Sequence, residues 1–147
     1  MNPFGHTHGR VGAVIVFALL PLVGAAACKD KVACEQSRIA TAEAWGEVKA
    51  NAIARKLDTR RDGKPLSDDQ LYDNVELWTE LERQADMLES SFRTPQITWR
   101  PAERALAAMD ERFSRVGATD SSSVIQAFKG LLGEAEAAQA RADGACR

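Results

Sequence analysis

Apolar residues recur at helical spacing along the chain beyond residue 34, and no stretch of useful length alternates between apolar and polar positions. Ala, Leu, Glu and Arg predominate there, which favours helix on intrinsic propensity. The first predicted helix runs from Cys34 to Leu57. Its predicted apolar stripe consists of Ile39, Ala42, Trp45, Val48, Ala52, Ile53 and Leu57.

The second predicted helix has the strongest start signal. Ser67 and Gln70 have the spacing of a capping box, and Leu66 and Leu71 occupy the two positions of a hydrophobic staple. Apolar residues then recur every seven positions with a second set between them, as in a sustained core stripe. The residues of the two sets are Leu71, Trp78, Ala85 and Phe92, with Leu81 and Leu88.

Two further helices follow the break at Pro95. Thr98 is predicted to cap the third helix, and Gly117 to end it. The fourth is predicted to start at Thr119 or Asp120 and to close at Gly144. Their stripes contain Ala102, Leu106, Met109, Phe113 and Val116, and Val124, Phe128, Leu131, Ala135, Ala138 and Ala142.

Four amphipathic helices joined by short connections predict antiparallel neighbours. We therefore predict an all-α fold, an up-down-up-down antiparallel four-helix bundle, as one domain over residues 34–147. That length suits a single domain. Residues 28–33 are predicted to be a tether that precedes it.

The first 27 residues have the composition of a secretory signal. Arg10 is followed by an uncharged apolar run that reaches Ala27, with small residues at its end. The run is just short of the ~20 residues that a membrane-spanning helix needs, and Pro21 interrupts it. A cleaved signal helix over residues 1–27 is thus favoured over a membrane-spanning anchor.

The junction Leu22-Val-Gly-Ala-Ala-Ala-Cys28 resembles the lipobox of bacterial lipoproteins, in which small residues precede a cysteine that becomes the lipidated first residue. Ala25 departs from the family pattern, which more often has Leu there. The resemblance implies lipid on Cys28 and a membrane partner in the cell envelope, and Lys29 permits an outer-membrane destination. The same alanines also fit an ordinary A-x-A cleavage site, so a soluble periplasmic or secreted protein is the alternative.

Three cysteines are an odd number for an exported protein. If Cys28 carries lipid, Cys34 and Cys146 remain as a pair in an oxidising compartment. Without lipid, Cys28 could pair with Cys34 and leave Cys146 free. In four alternating helices, the start of the first and the end of the last lie at the same end. We therefore predict a Cys34–Cys146 disulfide, with two unpaired buried thiols as the alternative.

Charge and histidine content exclude several functions. The chain has 19 Lys and Arg against 21 Asp and Glu, which gives no electrostatic indication of nucleic-acid binding. Both histidines, His6 and His8, lie in the segment predicted to be removed. The mature protein then has no residue for a Ser-His-Asp triad or a histidine-ligated metal. We expect no enzymatic activity, no cofactor and no metal.

The loop of residues 58–69 has the length of a calcium-binding loop. Oxygen-bearing or glycine residues occupy four suitable positions, namely Asp58, Asp62, Gly63 and Asp69. However, Arg60 stands where the third position needs an oxygen ligand, and Pro65 stands at the eighth. A positive charge at a ligand position repels the ion. An ordinary polar connection between helices is therefore the better interpretation.

Trp99 and Arg100 are the candidate contacts with a partner protein, because an aromatic and an arginine beside a turn are typical of binding hot spots. For Trp99 itself, closing the end of the bundle is the preferred interpretation, and contact with a partner is the alternative. The preferred function is a lipid-anchored, non-enzymatic accessory that binds another envelope protein or itself. The alternative is a bundle that holds a small apolar molecule or lipid. The candidate lining residues are Trp45, Trp78, Met87, Met109 and Phe113.

Overall fold

The structure, a computed structural model, describes the backbone of residues 22–117, 120 and 122–147, and side chains from residue 30 onward. Within these residues, four helices form a helical bundle, which confirms the all-α class. The helices are α1 (Leu22–Lys56), α2 (Asp68–Arg93), α3 (Trp99–Gly117) and α4 (Ser123–Cys146). Two short strands, β1 (Arg60–Arg61) and β2 (Lys64–Pro65), lie between α1 and α2.

Helix α1 begins at Leu22, twelve residues earlier than the predicted start at Cys34, so the predicted tether 28–33 is helical. Good helix formers without proline fill this stretch, and nothing in its sequence stops the helix. Among the helices of the described residues, none is both long and apolar enough to cross a membrane.

The predicted apolar stripe of α1 is correct at its centre and wrong at its edges. Ala42, Trp45, Val48 and Ala52 are buried, whereas Ile39, Ile53 and Leu57 are exposed by 44%, 41% and 80%. At 3.6 residues per turn, Ile39 and Leu57 lie about 120° around the helix from Trp45. Helix α1 packs on α2 and α4 through the Trp45 side, so this face stays outside.

The connection after α1 is a small hairpin, whereas the sequence predicted only turn residues there. Arg60 pairs with Pro65 and Arg61 with Lys64 across two antiparallel strands. The tip consists of Asp62 and Gly63, both with positive φ. Such angles suit glycine at no steric cost and are tolerated by aspartate, which explains the Asp-Gly sequence at the tip.

The start of α2 is the one that the sequence predicted. Ser67 precedes the helix and its hydroxyl accepts a hydrogen bond from the Gln70 amide at 3.3 Å. The Gln70 side chain in return accepts from the Ser67 amide at 2.9 Å. The capping box is therefore confirmed, and the helix ends at Arg93, just before Thr94-Pro95.

Helix α4 differs from its prediction at both ends. It starts at Ser123 rather than at Asp120, because the Asp120 carboxylate accepts from the Ser122 amide at 2.8 Å and forms a turn before the helix. The other predicted start, Thr119, lies outside the described residues. The helix continues through Gly144 to Cys146, whose side chain is tied to α1.

All four helices contribute to one core. Helix α1 packs on α2 and α4, and α2 packs on α3. Aromatic contacts join α4 to its neighbours: Phe128 lies 5.0 Å from Trp78 and 5.1 Å from Phe113, measured between ring centroids. The largest wholly buried side chains are Trp45, Trp78, Phe92, Phe128, Leu81, Leu88, Met109 and Ile125.

Candidate functional site

Two of the cysteines, Cys34 and Cys146, form the predicted disulfide. The sulfurs of Cys34 on α1 and Cys146 on α4 are 2.13 Å apart, with their Cα atoms 4.8 Å apart. This confirms Cys34 and Cys146 as the disulfide pair and contradicts both a Cys28–Cys34 pair and two unpaired thiols. The predicted lipidation site Cys28 belongs to α1, but its side chain lies outside the described residues.

A buried arginine joins α1 to the end of α2 near this disulfide. Arg38 is only 7% exposed and donates from its guanidinium to the Phe92 carbonyl at 2.7 Å. It also donates to Glu35, and this hydrogen bond lowers the pKa of the Glu35 carboxyl. The buried guanidinium is thus paired with a carboxylate on one side and a backbone carbonyl on the other, as burial of a charge requires.

Trp99 closes the same end of the bundle, which was the preferred prediction for this residue. Its half-buried ring meets Phe92 edge-on, with the centroids 5.6 Å apart. The guanidinium of Arg147 lies over the ring, 4.0 Å from its centroid, in a cation–π contact. Arg147 also pairs with Glu103 on α3. Arg100, the other candidate partner contact, is exposed beside Trp99.

The residues predicted to line an apolar ligand site lie at core positions. Trp45 and Trp78 are wholly buried, as is Met109, while Phe113 is 4% exposed and Met87 is half-buried. The indole nitrogen of Trp45 donates to Gln139 at 3.1 Å, and that of Trp78 donates to Asn74 at 2.8 Å. Both indoles are therefore satisfied by the protein itself, as buried tryptophans usually are.

Asn74 organises a polar network that the sequence analysis missed. It is 3% exposed, and its amide donates to the Arg55 carbonyl at 3.0 Å while its oxygen accepts from Arg61 at 2.8 Å. Arg61 also pairs with Asp120. Burial acts to raise the pKa of Asp120, but hydrogen bonds from Ser122 and the charge of Arg61 outweigh it and lower that pKa. The only sequence signal for this network was an asparagine, Asn74, at a position where the spacing of α2 calls for an apolar residue.

A second ionic cluster joins α1 to α2. Glu89, which is 6% exposed, pairs with Lys49 of α1 and Arg93 of α2. Burial acts to raise the pKa of Glu89, and the two cations outweigh it, so the net pKa is lowered. A Cβ added at Gly46 would lie 3.3 Å from the nearest Glu89 oxygen, so this glycine leaves room for the carboxylate.

Two adjoining grooves lie on the surface between α2 and α3. Their volumes are about 600 Å³ and 350 Å³, and they share Glu76, Arg112 and Arg115 in their linings. The larger one also contains Tyr72 and Val75, which are 73% and 48% exposed. Neither lining includes any of the five residues predicted to hold an apolar ligand.

In the part of the chain that the structure describes, no group of three or more His, Cys, Asp or Glu side chains is arranged so that it could hold a metal ion. The loop with calcium-like spacing forms the hairpin instead. At its tip, the Asp62 carboxylate accepts from the Ser123 amide at 3.3 Å and from the Ser123 hydroxyl. Asp62 therefore ties the hairpin to the start of α4.

Two carboxyls meet where α3 faces α4. Partial burial, together with a hydrogen bond and the negative charge from Asp110, raises the pKa of Glu136. A raised pKa means that ionised Glu136 opposes folding at neutral pH and that its protonation favours folding as the pH falls.

We expect Glu136→Gln to raise the free energy of unfolding at pH 7 by a few tenths of a kcal/mol, on the order of a like-charge pair on helices. The gain should shrink as the pH falls towards the ordinary value of 4.5, where the native carboxyl becomes protonated. Urea unfolding across this pH range measures it. Glu134→Gln, at an exposed position of the same helix, is the matched control and should change little. A destabilised or pH-independent Glu136→Gln protein would contradict this account.

Comparison of the chain with known protein families, with curated proteins and with solved structures gave no significant match.

Proposed function

We propose that this chain is the precursor of a bacterial lipoprotein whose mature part begins at Cys28 and carries lipid on that cysteine. The helical bundle then stands on a membrane of the cell envelope, at the outer membrane or the periplasmic face. It acts there as a non-enzymatic interaction or structural accessory. Its partner is another envelope protein or a second copy of the chain.

The pairing of Cys34 with Cys146 carries this proposal. The chain has three cysteines, and the disulfide uses two of them, so Cys28 is the one left over. An unpaired thiol is unusual in an exported protein and calls for a chemical fate of its own. The lipobox-like sequence before Cys28 supplies that fate, since lipidation consumes the thiol.

For the bundle itself we infer the up-down-up-down arrangement of antiparallel helices. The contacting pairs support it, because residue numbers rise along one helix while they fall along its neighbour. Between α1 and α2 the pairs are Arg38 with Phe92 and Lys49 with Asp86. Between α1 and α4 they are Cys34 with Cys146 and Thr41 with Ala138; between α2 and α3, Phe92 with Trp99 and Glu76 with Arg112.

The outer surface offers two places for a protein partner. The first is the pair of grooves between α2 and α3, where exposed Tyr72 and Val75 adjoin Arg112 and Arg115. Tyrosine and arginine side chains are enriched among the residues that anchor protein interfaces. The second is the end of the bundle that carries Trp99.

Cell fractionation tests the proposal. The native chain, expressed in a bacterial host, should be recovered with the membranes and should resist extraction with salt, whereas Cys28→Ser should move to the soluble fraction. A chain with Cys34→Ser and Cys146→Ser is the matched control: it loses the disulfide but keeps Cys28, and should stay with the membranes. Recovery of the native chain as a soluble protein, or of Cys28→Ser with the membranes, would overturn the anchor.

A further inference from the structure

Two arginines near the start of α3 have no ionic partner among the residues that the structure describes. Arg100 and Arg104 are both exposed, one turn apart on the same face, and the Arg104 guanidinium only donates to the Arg100 carbonyl at 3.4 Å. Within residues 30–116, 120 and 122–147, no carboxylate pairs with either side chain. Two other arginines at this end are paired, Arg93 with Glu89 and Arg147 with Glu103.

The position of these arginines is unfavourable for the helix that carries them. Like charges four residues apart repel each other on a helix surface. The first turn of α3 contains no acidic residue, and cations near the start of a helix oppose its dipole. Local stability therefore does not account for two arginines at these positions, whereas an anionic surface outside the bundle would neutralise both charges.

The carboxylates of this end do not supply that neutralisation. Glu35 is paired with Arg38, and Glu103 and Asp143 both lie against Arg147. Asp30 is exposed, with Lys31 beside it in the chain. The charges at this end that remain outside ion pairs are therefore mainly positive.

The contacts place the two arginines on the side of the bundle from which the anchor would extend. The disulfide holds Cys34 beside Cys146, and Arg147 lies over Trp99, next to Arg100. Cys34 comes only six positions after Cys28 on helix α1, a rise of about 9 Å. A lipid on Cys28 would thus hold this end within about one nanometre of the phospholipid headgroups.

We propose that the surface around the start of α3, which carries Ile97, Trp99, Arg100 and Arg104 and is here called the basic end, rests on anionic phospholipid headgroups of the leaflet that holds the anchor. Guanidinium groups bind phosphate through paired charge-assisted hydrogen bonds. A half-exposed indole suits the boundary between headgroups and acyl chains, and Trp99 and Ile97 are both half-buried here. The inference rests on the proposed anchor at Cys28 for its orientation.

Tryptophan quenching by lipids that carry bromine near the headgroup end of their acyl chains tests the basic end. Because Trp45 and Trp78 are wholly buried, quenching reports Trp99. The purified product of the full chain is measured in vesicles of phosphatidylcholine alone and in vesicles that also contain phosphatidylglycerol. We expect stronger quenching with phosphatidylglycerol, and we expect salt to weaken it.

Charge-reversal variants assign the effect to the two arginines. Arg100→Glu with Arg104→Glu should abolish the extra quenching with phosphatidylglycerol, and the corresponding Gln variants should lose part of it. The control, Lys64→Glu with Lys129→Glu, makes the same change in net charge at exposed positions away from the basic end and should keep it. The thermal midpoint of the Arg100→Glu, Arg104→Glu protein should not fall. If the two arginines had a structural role, their replacement would lower it.

Equal quenching in both kinds of vesicle, or equal loss in the control variant, would overturn the basic end as a lipid-binding face. Intact mass on the same samples reports the acyl chains and so judges the anchor separately. If a protein without acyl chains is still quenched in a way that depends on Arg100 and Arg104, lipid binding by the basic end is supported and the anchor at Cys28 is refuted. If a lipidated protein is quenched equally whatever the charge of the lipid, the anchor is supported and lipid binding by the basic end is refuted.

Discussion

Replacing both Cys34 and Cys146 by alanine is expected to lower the free energy of unfolding by about 4–5 kcal/mol. The disulfide closes a loop that spans 112 positions, from the first helix to the last. In the chain-entropy treatment, such a long loop removes a large share of the conformations open to the unfolded chain. Urea unfolding of the native and the double-variant proteins, without reductant, measures the difference.

Reductant provides the control for this prediction. It should lower the stability of the native protein to that of the Cys34→Ala, Cys146→Ala variant and should leave the variant unchanged. Replacing both cysteines avoids leaving one of them as a free thiol that could form a disulfide between two molecules. A double variant as stable as the native protein would show that the linkage between α1 and α4 does not constrain the unfolded chain as proposed.

Trp78→Ala is expected to cost about 3–5 kcal/mol of unfolding free energy, the usual range for a large aromatic removed from a packed core. Trp78 is wholly buried, meets Phe128 at a centroid distance of 5.0 Å, and donates to Asn74. Its loss leaves a cavity at the centre of the bundle and removes a hydrogen bond from the Asn74 network. Thermal and urea unfolding should both detect the change.

Tyr72→Ala is the matched control for this experiment, since Tyr72 is an aromatic residue of the same helix that is 73% exposed. Its replacement should change the unfolding free energy by no more than about 0.5 kcal/mol. A small cost for Trp78→Ala would contradict the packed core. It would favour the alternative prediction, in which Trp78 lines a site for an apolar molecule.

Elements with strong local signals could be predicted from the sequence. The capping box of Ser67 and Gln70 is a local hydrogen-bonding pattern, and the chain forms it as predicted. Buried Trp78, Ala85 and Phe92 follow the seven-residue spacing of α2, because one face of that helix meets the core along its whole length. The pairing of Cys34 with Cys146 could be predicted once four alternating helices were assumed.

Features that depend on tertiary contacts could not be predicted from the spacing of apolar residues. Ile39 and Leu57 fit an apolar helical pattern, yet no helix packs on their side of α1 among the described residues. Helix α4 starts at Ser123 and not at the predicted Asp120, because the Asp120 carboxylate accepts a hydrogen bond from Ser122 and pairs with Arg61. A helical pattern does not show which neighbour a polar side chain will meet.

The candidate site shows the same limit. Buried Arg38 donates a hydrogen bond to the carbonyl of Phe92, which lies more than fifty positions away in the chain. No local sequence motif predicts that contact. Asn74 and Gln139 are ordinary polar residues in the sequence and become hydrogen-bond partners of buried indoles only when the helices meet. By contrast, Trp99 and Arg100 could be singled out from the sequence as a candidate partner contact, because an aromatic and an arginine beside a turn are typical of binding hot spots.

The intact mass of the mature protein, measured without reduction, is the most direct test of the proposed lipoprotein. We predict a chain that begins at Cys28, carries acyl chains there, and is lighter by two hydrogens for the Cys34–Cys146 disulfide. Fragmentation should locate the acyl mass on the first residue. A mature chain with an unmodified Cys28, or one that retains the first 27 residues, would contradict the proposed lipoprotein.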